Sequence, residues 1–236
     1  MIHHLTFTDE NMTISAAKCS ASAKKFGCDT SIILSPKDYT PDFLKRNKHI
    51  LTQPRGAGYW LWKPYIIDKM MTWAPNDSYL IYTDAGILFE NYVSYLITAM
   101  DSDIMLFGNR WKHGDWCKMD CLRAMKCTDP VYTKHEQLQA SCIIVKNTLP
   151  VKTFIYEWLA WGETPDMIDD SESFYPNLPG FREHRHDQAI LTNLAFLYRI
   201  NFHWWPVQYC LRHRANYPRD KYPIIFQHHR KRNNEW

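Results

Sequence analysis

The sequence has no long apolar run. Nothing in it approaches the roughly 20 consecutive apolar residues of a membrane-spanning helix, so no membrane span is expected. The first ten residues, Met1-Ile2-His3-His4-Leu5-Thr6-Phe7-Thr8-Asp9-Glu10, lack the basic region and apolar segment of a secretory leader. Seven cysteines, an odd number scattered along the chain, exclude a dense disulfide framework and point to free thiols in a reducing compartment. An excess of one charge is also missing. The net charge of +3 is too mild for a polyanion partner across the whole surface, which makes nucleic acid a poor candidate. There is no internal repeat or low-complexity tract, so 236 residues predict one domain, 1–236, with a sizeable core.

Aromatic residues are plentiful. They form 15% of the chain, with 10 Trp and 14 Tyr, enough to fill a core and still offer rings for stacking on sugars or bases. Strand and helix signals alternate. Ile2 to Thr8 reads as a first strand, and 12–26, rich in Ala and Lys, as a helix stopped by Gly27. A short strand over 31–34 precedes a helix over 41–47, with Thr40 as its cap and Pro41 in its first position. Pro64 marks another helix start, with Ile67, Met70, Met71 and Ala74 on one face. The strand that follows ends at Asp84. Later helices are predicted over 92–100, 117–125, 149–161 and 186–198, and strands over 104–107, 141–145 and 222–226. Between them, 162–180 carries three prolines and several acids and reads as a mobile loop that could close over a ligand. This order predicts an α/β fold: an α/β/α sandwich around a mostly parallel sheet.

The most informative stretch is Ser78-Tyr79-Leu80-Ile81-Tyr82-Thr83-Asp84-Ala85-Gly86. An apolar strand ends in one carboxylate followed by two small residues, at the sheet edge where α/β folds bind ligands. Asp84 there either caps a turn or supplies a hard oxygen to Mg²⁺ or Mn²⁺ beside substrate phosphates. Upstream, Arg55-Gly56-Ala57-Gly58-Tyr59-Trp60-Leu61-Trp62-Lys63-Pro64 combines flexible backbone, two cations and three rings ahead of a helix start. Arg55 and Lys63 are candidates for phosphate contact. Tyr59 and Trp62 are candidates for ligand stacking or core packing. In His184-Arg185-His186-Asp187-Gln188 the acid and amide fall in a helix's first turn, either as helix-favoured residues or as a sugar-binding pair with Asp187 as general base. His228 or His229 could complete a metal site with Asp84, and Arg230 could approach a diphosphate, unless the end of the chain is a solvated basic tail. Cys117, Cys121 and Cys127 lack paired CxxC spacing and read as packed thiols.

The order Gly58-Tyr59-Trp60-x-Trp62-Lys63-Pro64, Tyr82-x-Asp84-Ala85-Gly86, Gln139-x-Ser141 and His186-Asp187-Gln188 resembles small GT-A-fold glycosyltransferases, the compact enzymes of large algal viruses and bacterial polysaccharide clusters. The resemblance implies a Rossmann-like GT-A fold. It implies transfer of a sugar from a nucleotide-diphospho sugar, UDP-linked, to a glycan or other hydroxyl acceptor, aided by Mn²⁺ or Mg²⁺. It implies that Thr6, Phe7 and Thr8 face the nucleotide base, that Gln139 and Ser141 face the donor sugar, and that Asp187 and Gln188 stand at the sugar site. Asp84 matches the first acid of the Asp-x-Asp metal motif, but Gly86 stands where the second would be. The expected location is the cytoplasm, the host's if the chain is viral. Two other functions remain open at this stage. One is a nucleic-acid-binding module built on the basic, aromatic region from Trp204 to Arg232. The other is a metal hydrolase centred on His184, His186 and Asp187.

Overall fold

The computed structural model describes all 236 residues, Met1–Trp236. Its centre is a six-stranded sheet in the order β2-β1-β3-β6-β5-β7. The strands are β1 (Ile2–Phe7), β2 (Thr30–Leu34), β3 (Tyr79–Thr83), β5 (Ile104–Lys112), β6 (Glu136–Lys146) and β7 (Phe202–His203). Only β6 runs against the others, because it pairs antiparallel with both β3 and β5 while the remaining pairs are parallel. A second, two-stranded sheet joins β4 (Ile87–Phe89) to β8 (Phe226–His228).

Side-chain alternation along β1 explains the layers. His4 faces one side, where it meets Thr83 and Cys19 of helix α1 (Thr13–Lys25). Phe7 faces the other and stacks on Trp62, 4.0 Å between centroids, at the start of helix α2 (Trp62–Trp73). On that second face α2 packs with α3 (Leu149–Gly162) and α4 (His186–Leu197). The result is the expected α/β/α sandwich.

Local signals work where they are self-contained. Thr40 accepts a hydrogen bond from Phe43 N–H, and Gly27 takes φ +103° just beyond α1. Three expectations change. The apolar run 222–226 pairs only from Phe226 onward; Pro223 has no N–H to give a ladder. The basic tail is exposed at Arg230, Lys231 and Arg232 but is tied back to the domain. Asn233 Oδ1 accepts from Ile14 N–H at 2.9 Å and so caps α1, whose own Met12 supplies no side-chain cap. The 162–180 segment is not a free loop either. Asp120 accepts from the N–H groups of Phe174 and Tyr175, and Asn177 Oδ1 accepts from Met119 N–H, which fastens it to the short helix Met119–Ala124.

The nucleic-acid reading loses the aromatic part of its surface. Trp204 and Trp205 are buried, and Arg214 lies over Trp204 while donating to Tyr222 O. All seven cysteines are free and buried, and no helix is long and apolar enough to cross a membrane.

Two core histidines make the fold acid-sensitive. Burial pushes His4 down to about 3 and His113 to about 4, and both are held as neutral rings, by Ser31 and Thr83 and by Asn193 respectively. In the unfolded chain they titrate near 6.5. As pH falls from 6.5 toward 4 the unfolded state therefore binds more protons, and stability drops by roughly 2–3 kcal/mol per histidine by pH 4.5. Urea midpoints at neutral and acid pH should show this loss, with a shallower slope in His113→Gln. Midpoints that stay level across that range would contradict it.

Candidate active site

A cleft of about 670 Å³ opens at the carboxyl ends of β1 and β3. Its floor is a buried charge cluster. Lys63, one residue into α2, donates to Ala140 O at 3.0 Å and pairs with Asp187 Oδ2 at 3.1 Å and Asp84 Oδ1 at 3.4 Å. Only the contact with Ala140 O has hydrogen-bond geometry; the two carboxylates meet the ammonium as ion pairs, and the buried Asp187 Oδ2 has no hydrogen-bond partner. Lys63 is thus a cleft residue, as expected, but its charge already faces two carboxylates.

The two carboxylates differ although they share one cation. Burial acts to raise Asp84, but Lys63, the Tyr82 hydroxyl and His228 outweigh it and hold this carboxyl below its usual value. Burial dominates at Asp187 and lifts it to about 6, with the like charge of Asp84 adding to the effect and Lys63 opposing it. The difference follows their partners: the Tyr82 hydroxyl and His228 join Lys63 in favouring the charged form of Asp84, whereas Asp187 has Lys63 and the Gln188 N–H against burial and a like charge. Two acids pushed apart in this way are suited to different tasks. Burial also works against the Lys63 charge, yet its two carboxylates outweigh that and keep it protonated.

The approach to α2 is unusual. Gly56, Ala57, Gly58, Tyr59 and Trp60 all have positive φ, from 51° to 94°, and form a left-handed turn. Each non-glycine residue there costs roughly 1–2 kcal/mol. A Cβ on Gly56 would stand 2.4 Å from the Trp60 ring, and one on Gly58 2.7 Å from Leu51 Cα. The glycines serve this turn, which Trp62 Nε1–H closes by donating to Gly56 O.

Asp187 is aimed by the start of α4. His186 takes φ +45°, its ring stacks on Tyr59 at 5.1 Å, and its Nε2 meets Asp170 Oδ1 at 2.9 Å. Burial lowers His186 to about 4, so it is a neutral donor to Asp170. Arg55 bridges Asp170 and Glu183 at 3.0 and 2.8 Å. Arg55 and Tyr59 therefore lie behind the wall of the cleft rather than in it, and they brace the loop that presents Asp187. His184 is buried, accepting from Lys118 N–H at 3.2 Å and donating to Met167 O. With both imidazoles consumed, the metal-hydrolase cluster does not form.

Phe7, Trp62, Gln139, Ser141, Gln188, His228 and Arg230 line the cleft. Thr6 and Thr8 do not. Alternation sends Thr6 to the fully buried opposite face, and the Thr8 hydroxyl turns back to Asp9 O. His229 also points away, its Nδ1 accepting from Lys231 N–H and its ring against Trp236. Lining residues that the motifs did not mark include Asn109, Arg110, Trp111, Trp205 and Tyr209. The first three ride on irregularities that carry β5 past its expected end. Arg185 was within reach of the sequence, two residues before Asp187.

The donor set does not fit the divalent ion expected at Asp84, His228 and His229. Asp84 Oδ1 already accepts from Tyr82 and faces Lys63. His228 bonds Tyr209 through Nδ1, and its Nε2 accepts from Arg230 Nε–H at 3.4 Å. A cation at this spot would stand against an ammonium and a guanidinium. No three His, Cys, Asp or Glu side chains gather to hold a metal.

The chain is an open-edged α/β sandwich with a polar cleft at its strand ends. No protein-family model matches the sequence, and no curated protein does. Solved structures do match. The chain is similar to the galactosyltransferase LgtC in complex with donor and acceptor sugar analogues, with TM-score 0.51 and 13% identity over 97% of this chain and 87% of that one. It is also similar to mouse xyloside xylosyltransferase 1, with TM-score 0.50 and 10% identity over 100% of this chain and 98% of that one. Against the bifunctional glycosyltransferase WbbM, at 10% identity and TM-score 0.49, it covers 82% of its own length and 37% of the other chain. The chain has the GT-A fold of glycosyltransferases, the architecture its motifs resemble.

Proposed function

We propose that the protein is a glycosyltransferase that moves a sugar from a nucleotide-diphospho sugar, UDP-linked, to a hydroxyl of a glycan or similar acceptor. The observation that carries this reading is the Lys63-bridged pair of unequal carboxylates on the floor of the cleft. A volume of about 670 Å³ suits a ligand of that size, and the GT-A fold supports the class of reaction.

In this reading Asp84, partly exposed at the end of β3, accepts hydrogen bonds from donor hydroxyls. Gln188, whose amide donates to Gln137 Oε1, holds the sugar with Gln139 and Ser141. The bond from the anomeric carbon to the diphosphate oxygen breaks as the acceptor oxygen attacks. The acceptor's proton passes to Asp187, whose carboxyl near 6 is ionised at neutral pH yet basic enough to take it. No step is assigned to a divalent ion, because the residues present do not fit one.

Incubation with a panel of UDP-, GDP- and CMP-sugars, with and without glycan acceptors, tests the proposal by release of free nucleotide. Release from one donor, accelerated by an acceptor, is the expected result. No release from any donor and no binding of any nucleotide would overturn it.

A further inference from the structure

We infer that the donor's diphosphate is held by Arg230, standing where a second metal-binding carboxylate would be, and that donor binding needs no divalent ion. This rests on the glycosyltransferase reading above.

The inference starts at Gly86. The tail crosses directly over it, with the N–H groups of His229 and Arg230 both directed at Gly86 O, 2.9 and 3.3 Å away. The crossing is fixed by the pairing of β4 with β8, which sets Ile87 opposite His228. A Cβ on Gly86 would stand 3.0 Å from Arg230 Cα and 3.2 Å from Arg230 N. Those are backbone atoms held to Gly86 O by hydrogen bonds, not the far end of a flexible side chain. An acid two residues after Asp84 would therefore crowd this crossing and push it back by a few tenths of an ångström, and the residue it would crowd is a cation.

Arg230 itself is built for the cleft. It takes φ +58°, an uncommon conformation for a side-chain-bearing residue, at the point where the chain leaves the pairing with Gly86. Its guanidinium makes one side-chain hydrogen bond, Nε–H to His228 Nε2, so both terminal amino groups are unengaged. Two parallel N–H donors match the oxygens of a phosphate.

The charge balance points the same way. Lys63 is neutralised within the floor by Asp84 and Asp187. Around the remaining wall Arg110, Arg230 and Arg232 face Asp9, while Arg185 is paired with Glu183 at 2.8 Å. That surplus suits a dianionic diphosphate. A diphosphate already carrying a divalent cation would bring little net charge to it.

Calorimetry of the full chain with UDP, GDP and CMP, each in EDTA and in Mn²⁺, tests the inference. The expected result is one nucleotide diphosphate whose Kd differs by less than about threefold between the two conditions, and which Arg230→Gln weakens by about tenfold or more in both. Arg232→Gln should cost less, which separates a specific clamp from general positive charge. Binding that appears only with Mn²⁺, or a Kd indifferent to Arg230→Gln, would overturn the inference and leave the glycosyltransferase reading standing. No binding of any nucleotide in either condition would remove both. Unchanged melting of the nucleotide-free Arg230→Gln variant shows that the loss is one of recognition.

Discussion

Lys63→Met is expected to cost about 3–5 kcal/mol of stability, since it leaves two carboxylates facing each other across a site with no counter-charge. For a chain of this size that corresponds to a fall in melting temperature of roughly 6–20 °C. The Lys63 side chain is only 4% exposed, so water cannot take over the role of the ammonium. The cost should be partly recovered by adding Asp187→Asn, which removes the more deeply buried of the two charges. A Lys63→Met variant that melts within about 2 °C of the natural chain would show that the cluster is not held together in this way.

Asp187→Asn carries the largest expected effect on turnover. If Asp187 takes the acceptor proton, the rate should fall by about 10²–10⁴-fold while nucleotide Kd changes by less than about threefold. The pH dependence gives an independent reading. Burial raises Asp187 to about 6, and the carboxylate is the working form, so activity should decline as pH falls through 6 rather than near the ordinary carboxylate value of 3.8. Asp187→Asn should abolish that acid limb together with the rate. A variant that keeps the limb, or stays within tenfold of the natural rate, would move the base to another group. Stability should behave differently. Asp187 binds its proton more tightly in the folded chain than in the unfolded one, so in the range from 6 down to 3.8 its share of the stability grows as pH falls. That offsets part of the loss expected from His4 and His113.

The bracing behind Asp187 shows how far residue types alone can be read. Arg55 stands next to the glycines of a loop and reads as a phosphate ligand, yet it bridges Asp170 and Glu183. Nothing near Arg55 in the sequence announces those partners, because they lie in the segment before α4. Tyr59 reads as a ring for either a ligand or the core, and it packs, stacked on His186. The left-handed turn from Gly56 to Trp60 was legible only as flexibility: two glycines permit positive φ, but Ala57, Tyr59 and Trp60 adopt it as well, in a turn whose glycines sit against the Trp60 ring and the backbone at Leu51.

What the sequence by itself determined is local. An apolar run ending in one carboxylate put Asp84 at a strand end, Thr40 with Pro41 started a helix and Gly27 stopped one, and the alternation of strand and helix signals specified the α/β sandwich. These follow from backbone preference and from periodicity, which act over a few residues. What only the tertiary structure decided is direction and partnership. Period-two patterning is the same whichever way a strand runs, so the reversal of β6, which brings Ala140 and Ser141 beside Asp84, could not be read from it. Charge pairing falls off with distance in space, not along the chain. Which acids hold Lys63, and which cation closes over Gly86, were therefore settled only when α2, α4 and the tail met above β3.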